Sequence, residues 1–203
     1  MSTTTSTPGT PGSVPAAVVS TLYRLSVDQY EAMADAEILT EQDQVELING
    51  FLVTKMTKKP AHSVAARAVA EALVRLAPDG YFVTREDPIR IGGVSEPEPG
   101  AAVVRGRSRD YARRHPDSAQ VALIVEVADS SLSLDRTEKL RIYASGEIPV
   151  YWIVNIVDGR LEVYSQPEAG TYQVVRTLDP TEAVTVVVDG RELGAVAVAD
   201  ILP

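Results

Sequence analysis

Residues 121–155 read VALIVEVADSSLSLDRTEKLRIYASGEIPVYWIVN. The first seven, Val121 to Val127, are apolar except for Glu126, and the run reads as a buried β-strand. Ser130, Ser131 and Ser133 are the polar entry to a helix predicted over about 134–145. Gly146 suits its C-terminal end and Pro149 prevents continuation. Val150 to Ile156 is a second strand. Strand, helix and strand in 35 residues predict an α/β or α+β fold: a mixed sheet with helices packed on it.

Glu126 is the anomaly in this stretch. A carboxylate in an apolar strand is costly to desolvate unless something pairs with it. Leu123, Val125 and Val127 alternate with Ala122, Ile124, Glu126 and Ala128, so the acid shares a face with small and apolar neighbours. Asp135, Lys139 and Tyr143 recur at helical spacing on the next element and share a broad face. If that face packs over the strand end, Lys139 reaches Glu126. Two readings fit the spacing. One is a structural ion pair tying helix to sheet. The other is a phosphodiester-cleaving site in which carboxylates hold Mg²⁺ or Mn²⁺ and a lysine offsets developing charge.

Outward from this centre, Leu25 to Met33 reads as a short helix capped by Ser26, with Gln29 completing a capping box. Val45 to Thr54 is a hairpin turning at Asn49-Gly50. After Pro60, Val64, Ala68, Val69, Ala72, Leu73 and Leu76 mark the apolar face of a helix that ends at Pro78-Asp79-Gly80. Tyr81–Thr84, Ile89–Ile91 and Ala101–Val104 read as strands. Leu161 to Tyr164, Thr171 to Thr177 and Ala183 to Val188 make the C-terminal part β-rich. Trp152 and Tyr151 read as core.

The chain is 203 residues long and free of cysteine, which excludes disulfides and thiolate metal sites and fits a cytoplasmic protein. Residues 1–20 carry no charge and are rich in Thr, Ser, Pro and Gly. They read as a disordered tail preceding a domain over 21–203. No apolar run is long enough to span a membrane. A net charge of −9 argues against a protein that coats nucleic acid through its global field. Locally, Arg105, Arg107, Arg109, Arg113 and Arg114 crowd together, so Arg107, Arg109 and Arg113 are candidate phosphate contacts.

The series Leu123-Ile124-Val125-Glu126-Val127, Ser130, Ser133, Asp135, Glu138-Lys139-Leu140, Tyr143, Gly146, Pro149 and Tyr151-Trp152-Ile153-Val154 resembles the Uma-type endonucleases. These belong to the PD-(D/E)XK restriction-endonuclease-like superfamily. Tyr30-Glu31, Glu46-Leu47-Ile48-Asn49-Gly50 and His62 stand in the expected order. The resemblance spans about residues 23–203. It implies a restriction-endonuclease-like fold, a DNA substrate, Mg²⁺ or Mn²⁺ as cofactor, and an assembly that is often a homodimer. Glu126 matches the second acid. Lys139 is implied as a lysine migrated from the strand, where Ala128 now stands. Glu46, His62 and Asp135 are implied as site support.

The pattern departs at one place. The first acid should follow the proline before the Ala101 strand, but Glu96-Pro97-Glu98-Pro99-Gly100 puts glycine there. Glu98, two residues away, is the candidate substitute metal ligand. A catalytically impaired member that binds nucleic acid or protein is therefore the alternative function.

Overall fold

The computed structural model describes residues 21–203. The expected tail over residues 1–20 lies outside them. Helix α1 (Val27–Asp35) begins at Ser26, whose hydroxyl accepts the Gln29 N–H while the Gln29 side chain accepts the Ser26 N–H. This is the reciprocal capping box that the sequence predicts. Strands β1 (Val45–Ile48) and β2 (Phe51–Thr54) pair antiparallel. Asn49 and Gly50 take φ of 51° and 81°, the left-handed pair that a two-residue hairpin turn demands.

Helix α2 (Pro60–Leu76) starts with proline in its first turn, where no amide hydrogen is needed. It buries Ala65, Ala66, Val69, Ala72 and Leu73. The apolar face is rotated from the predicted one, because Val64 is exposed. Six strands follow as one sheet in the order β3-β4-β5-β6-β7-β8. They are β3 (Tyr81–Thr84), β4 (Ala101–Arg105), β5 (Val121–Ala128), β6 (Val150–Asn155), β7 (Arg160–Glu168) and β8 (Thr171–Leu178). Only β5 and β6 run parallel, joined by the helical crossover that a parallel pair requires. The fold is thus a mixed sheet flanked by helices, as expected. Among the described residues, no helix is long and apolar enough to cross a membrane.

Helix α3 is the crossover. It comprises Leu132–Leu134, a π-helical stretch Asp135–Lys139 and Leu140–Ser145. The wide turn coincides with the two residues, Asp135 and Lys139, that the helix buries most unusually. Such π stretches are frequent at functional sites. Gly146 ends the helix with φ −79°, not in the left-handed region; Glu147 takes that conformation with φ 57°. Glycine is needed at 146 for space, since a Cβ there would stand 2.8 Å from Ile91 Cγ2.

Each sheet face has its own core. One holds Leu123, Val125, Val127 and Trp152 against α2 and the hairpin β9 (Ala183–Val188) and β10 (Arg191–Ala197). The other holds Ile124, Ala128, Tyr151 and Ile153 against α3. Ala122 sides with the first group, because a register shift between Val103 and Val104 offsets the start of β5. Two further expectations are corrected. Ile89–Ile91 is not a strand: it makes only isolated bridges, Arg90 with Asp117 and Ile91 with Ser95. Strand β10 has no counterpart in the sequence reading, because Arg191-Glu192-Leu193-Gly194-Ala195 lacks a β-branched run.

Candidate functional site

Glu126 lies near the carboxyl end of β5 with 5% of its surface exposed. Its Oε1 accepts hydrogen bonds from Lys139 Nζ at 3.1 Å and Tyr143 OH at 2.6 Å. Lys139 also reaches Glu46 Oε1 at 3.1 Å, with Asp135 Oδ1 4.0 Å away. One ammonium therefore sits among three buried carboxylates drawn from β1, β5 and α3. Asp135 is further held by Ser131 Oγ, 2.7 Å from Oδ2, while its Oδ1 is buried without a hydrogen bond.

The charges settle accordingly. Burial works against the Lys139 charge, but Glu126, Glu46 and Asp135 outweigh it and hold the ammonium above its ordinary range. Lys139 is thus a fixed cation, not a proton acceptor. Burial pushes the Glu126 carboxyl up, against the pull of Lys139. Burial, reinforced by Glu126, pushes Asp135 up to about 7. Glu96, 2% exposed, is likewise raised to about 7 by burial and by Glu31. Both acids bind a proton more tightly folded than unfolded. Their contribution is fully present below the ordinary carboxylate range near pH 4 and is lost as pH rises through about 7. The melting temperature should therefore fall by a few degrees between pH 5.5 and pH 8, roughly what one or two such groups supply. Thermal melts of the wild type and Glu96→Gln should show a smaller fall in the variant.

A cleft of about 90 Å³ opens over this cluster, lined by Glu46, Glu98, Gly100, Glu126 and Lys139. Its rim carries Lys55, Lys58, Lys59 and His62. The rim lysines are ion-paired: Lys55 with Glu98 at 2.9 Å, Lys58 with Glu86 at 2.9 Å, and Lys59 with Asp129 at 2.8 Å. His62, in the first turn of α2, is partly buried, and its Nδ1 has no hydrogen-bond partner among the described residues. Burial and the nearby Lys58 keep its pKa low, so it is neutral at pH 7. Sequence reasoning did not single out the rim lysines; their signal was three lysines in Lys55-Met56-Thr57-Lys58-Lys59, just before a helix start.

The arginine cluster stands elsewhere. β4 pairs Ala101 with Val125 and Val104 with Val121, so Arg105 lies at the end of the sheet away from Glu126. At the strand rise, Arg105 is about 14 Å from Ala101, and Arg107 follows just past the end of the strand. Arg107 pairs with Asp110, whereas Arg109 and Arg113 are exposed and make no ion pair among the described residues.

As positioned, these donors do not fit a divalent ion. Lys139 already bridges Glu126 and Glu46, and Glu46 Oε2 accepts the Glu98 N–H at 3.1 Å. Both oxygens of Glu98 lie 2.9 Å from Lys55 Nζ. Gly100 offers no donor. Among the described residues, no three His, Asp or Glu side chains converge as an ion-binding group.

An acid and a lysine from the β5-α3 unit, with a supporting acid from β1, can be compared with known proteins. The sequence profile of Uma2, described as "Putative restriction endonuclease", matches residues 27–197. The chain belongs to the Uma2 family. A crystal structure of a "putative nuclease belonging to DUF820" from Anabaena variabilis ATCC 29413 superposes with a TM-score of 0.64. It is 14% identical and covers 87% of this chain and 97% of its own, which shows a shared fold. No curated protein matches the chain. In this Uma2 protein Glu126, Lys139 and Glu46 stand together, with Glu98 and Gly100 lining the same cleft.

Proposed function

We propose that this Uma2 protein engages DNA phosphodiesters at the Glu126–Lys139 cleft, and that Mg²⁺-dependent cleavage there is lost or strongly reduced. One observation carries the second half: Gly100 supplies no carboxylate, and the nearest substitute, Glu98, is held through both oxygens by Lys55. The first half is supported by the rim. The amino end of the 17-residue helix α2 lines the cleft together with the exposed Lys58 and Lys59. A helix amino terminus and two lysines favour a phosphate group.

An active Mg²⁺- or Mn²⁺-dependent DNA endonuclease is the second reading. It is favoured by Glu98 lining the same cleft as Glu126 and Glu46.

Binding is tested by fluorescence anisotropy with labelled duplex DNA in EDTA. The expected result is retention that weakens with salt. In the double variant Lys58→Ala/Lys59→Ala, the slope of log K against log salt should be shallower by about 2, one per lost phosphate contact. Arg109→Ala/Arg113→Ala should change it less if the cleft is the main contact. No retention at low salt would sink the nucleic-acid reading.

A further inference from the structure

The cations of the cleft are part of the chain, and their positions are fixed by its backbone. Lys55 directly follows β2, and its N–H donates to Gln44 O at 2.7 Å, so it is anchored beside β1. The segment carrying Glu98 is pinned on both sides. Glu96 N donates to Leu47 O at 2.7 Å, Ile89 N to Pro97 O at 3.0 Å and Glu86 N to Pro99 O at 3.1 Å. Glu98 N adds its bond to Glu46 Oε2. With the backbone held, only the Glu98 side chain is free to turn, and Lys55 fixes that too. The result is one chain of contacts, Lys55–Glu98–Glu46–Lys139–Glu126–Tyr143, in which each lysine is ion-paired to a carboxylate and the Glu98 backbone N–H links the two halves through Glu46. Glu46, Glu98 and Glu126 are faced by Lys55 and Lys139.

Resting on the impaired-site reading, we propose that Lys55 acts as a built-in cation: together with Lys139 it offsets much of the negative charge of the cleft, so the folded chain takes up no divalent ion there, and Lys55 is the residue that keeps the ion out. Lys55 has the features such a role needs. It is half-buried and makes two hydrogen bonds to one carboxylate, a stronger hold than a solvated surface pair. A divalent ion entering next to Glu98 would have to displace the ammonium and meet its repulsion. Removing Lys55 leaves Glu98 and Glu46 adjacent, at the mouth of the cleft, with one positive charge fewer.

The experiment is thermal melting of the full chain without DNA, in EDTA and then in MgCl₂ or MnCl₂, for the wild type, Lys55→Met and Lys55→Met/Glu98→Gln. An ion that binds the folded state raises the melting temperature by mass action. The wild type should melt at the same temperature in all three buffers. Lys55→Met should gain about 2–4 °C at saturating Mn²⁺, and the double variant should lose that gain. Lys55 is partly exposed, so its replacement leaves the core intact. A Mn²⁺ shift in the wild type as large as that of Lys55→Met would overturn the proposal, as would a Lys55→Met protein that melts at one temperature in every buffer. DNA retention is read in EDTA and ion uptake without DNA, so failure of either reading is seen separately.

Discussion

Lys139→Met should lower the melting temperature by about 10 °C at pH 8, and most of that loss should return at pH 5. The lysine is 5% exposed and is the cation for Glu126, Glu46 and Asp135. Methionine fills similar volume, so packing is largely kept and the charge alone is deleted. Removing one partner of a buried ion pair costs about 3–5 kcal/mol, because the remaining charge stays desolvated. For a chain of this size, each kcal/mol moves the midpoint by about 2–4 °C. The pH dependence carries the diagnosis. Glu126 and Asp135 already bind protons more tightly than free carboxyls. Without the ammonium they bind them more tightly still, so protonation removes the penalty as pH falls. A loss that is the same at both pH values would mean that Lys139 contributes packing instead of charge. The triple variant Glu46→Gln/Glu126→Gln/Lys139→Met should sit much closer to wild type than Lys139→Met does, since it leaves no buried charge unpaired at that point.

Gly100→Asp should raise Mg²⁺-dependent nicking of supercoiled plasmid by at least about 10²-fold, the scale on which one preorganised electrostatic partner acts at a reacting centre. Glycine at 100 has no left-handed φ, so aspartate meets no backbone barrier. A Cβ there would lie 3.2 Å from Val125 O and 3.3 Å from Val127 Cγ2, so β5 must yield by a few tenths of an ångström. The stability loss should be about 1 kcal/mol, at the mild end of overpacking. The gained carboxylate would line the cleft that Glu126 lines. Cleavage that appears in Gly100→Asp and disappears in Gly100→Asp/Glu126→Gln would identify the cleft as its source. A folded Gly100→Asp protein that stays inert would mean that more than one ligand is missing.

Much of the fold is readable in the sequence, for reasons that differ by element. Asn49-Gly50 specifies its hairpin because few other dipeptides hold two positive φ angles. Ser26 and Gln29 specify the start of α1 through bonds made within four residues. Ile89-Arg90-Ile91 alternates like a strand, yet Arg90 is held by ion pairs to Asp28, Glu31 and Asp117, and neither neighbouring strand accepts the segment. Such tertiary capture leaves no local trace. β10 escapes notice because its bulge at Glu192/Gly194 breaks the period on which strand recognition depends.

The site divides in the same way. Glu126 and Lys139 can be paired in advance because an acid in an apolar strand needs a cation, and the nearest helix offers one thirteen residues on. Lys55 and Glu98 are 43 residues apart in two irregular segments, and nothing local to either one selects the other. The arginine cluster shows the converse. Its density is evident in the sequence, but the direction of β4, which carries it away from Glu126, follows only from strand pairing.

The most direct measurement is a time course of supercoiled plasmid in Mg²⁺ and in Mn²⁺ with the unaltered chain beside Glu126→Gln. The two proteins should nick DNA at the same background rate. Nicking by the unaltered chain that Glu126→Gln abolishes would contradict the account and establish a working nuclease in spite of Gly100.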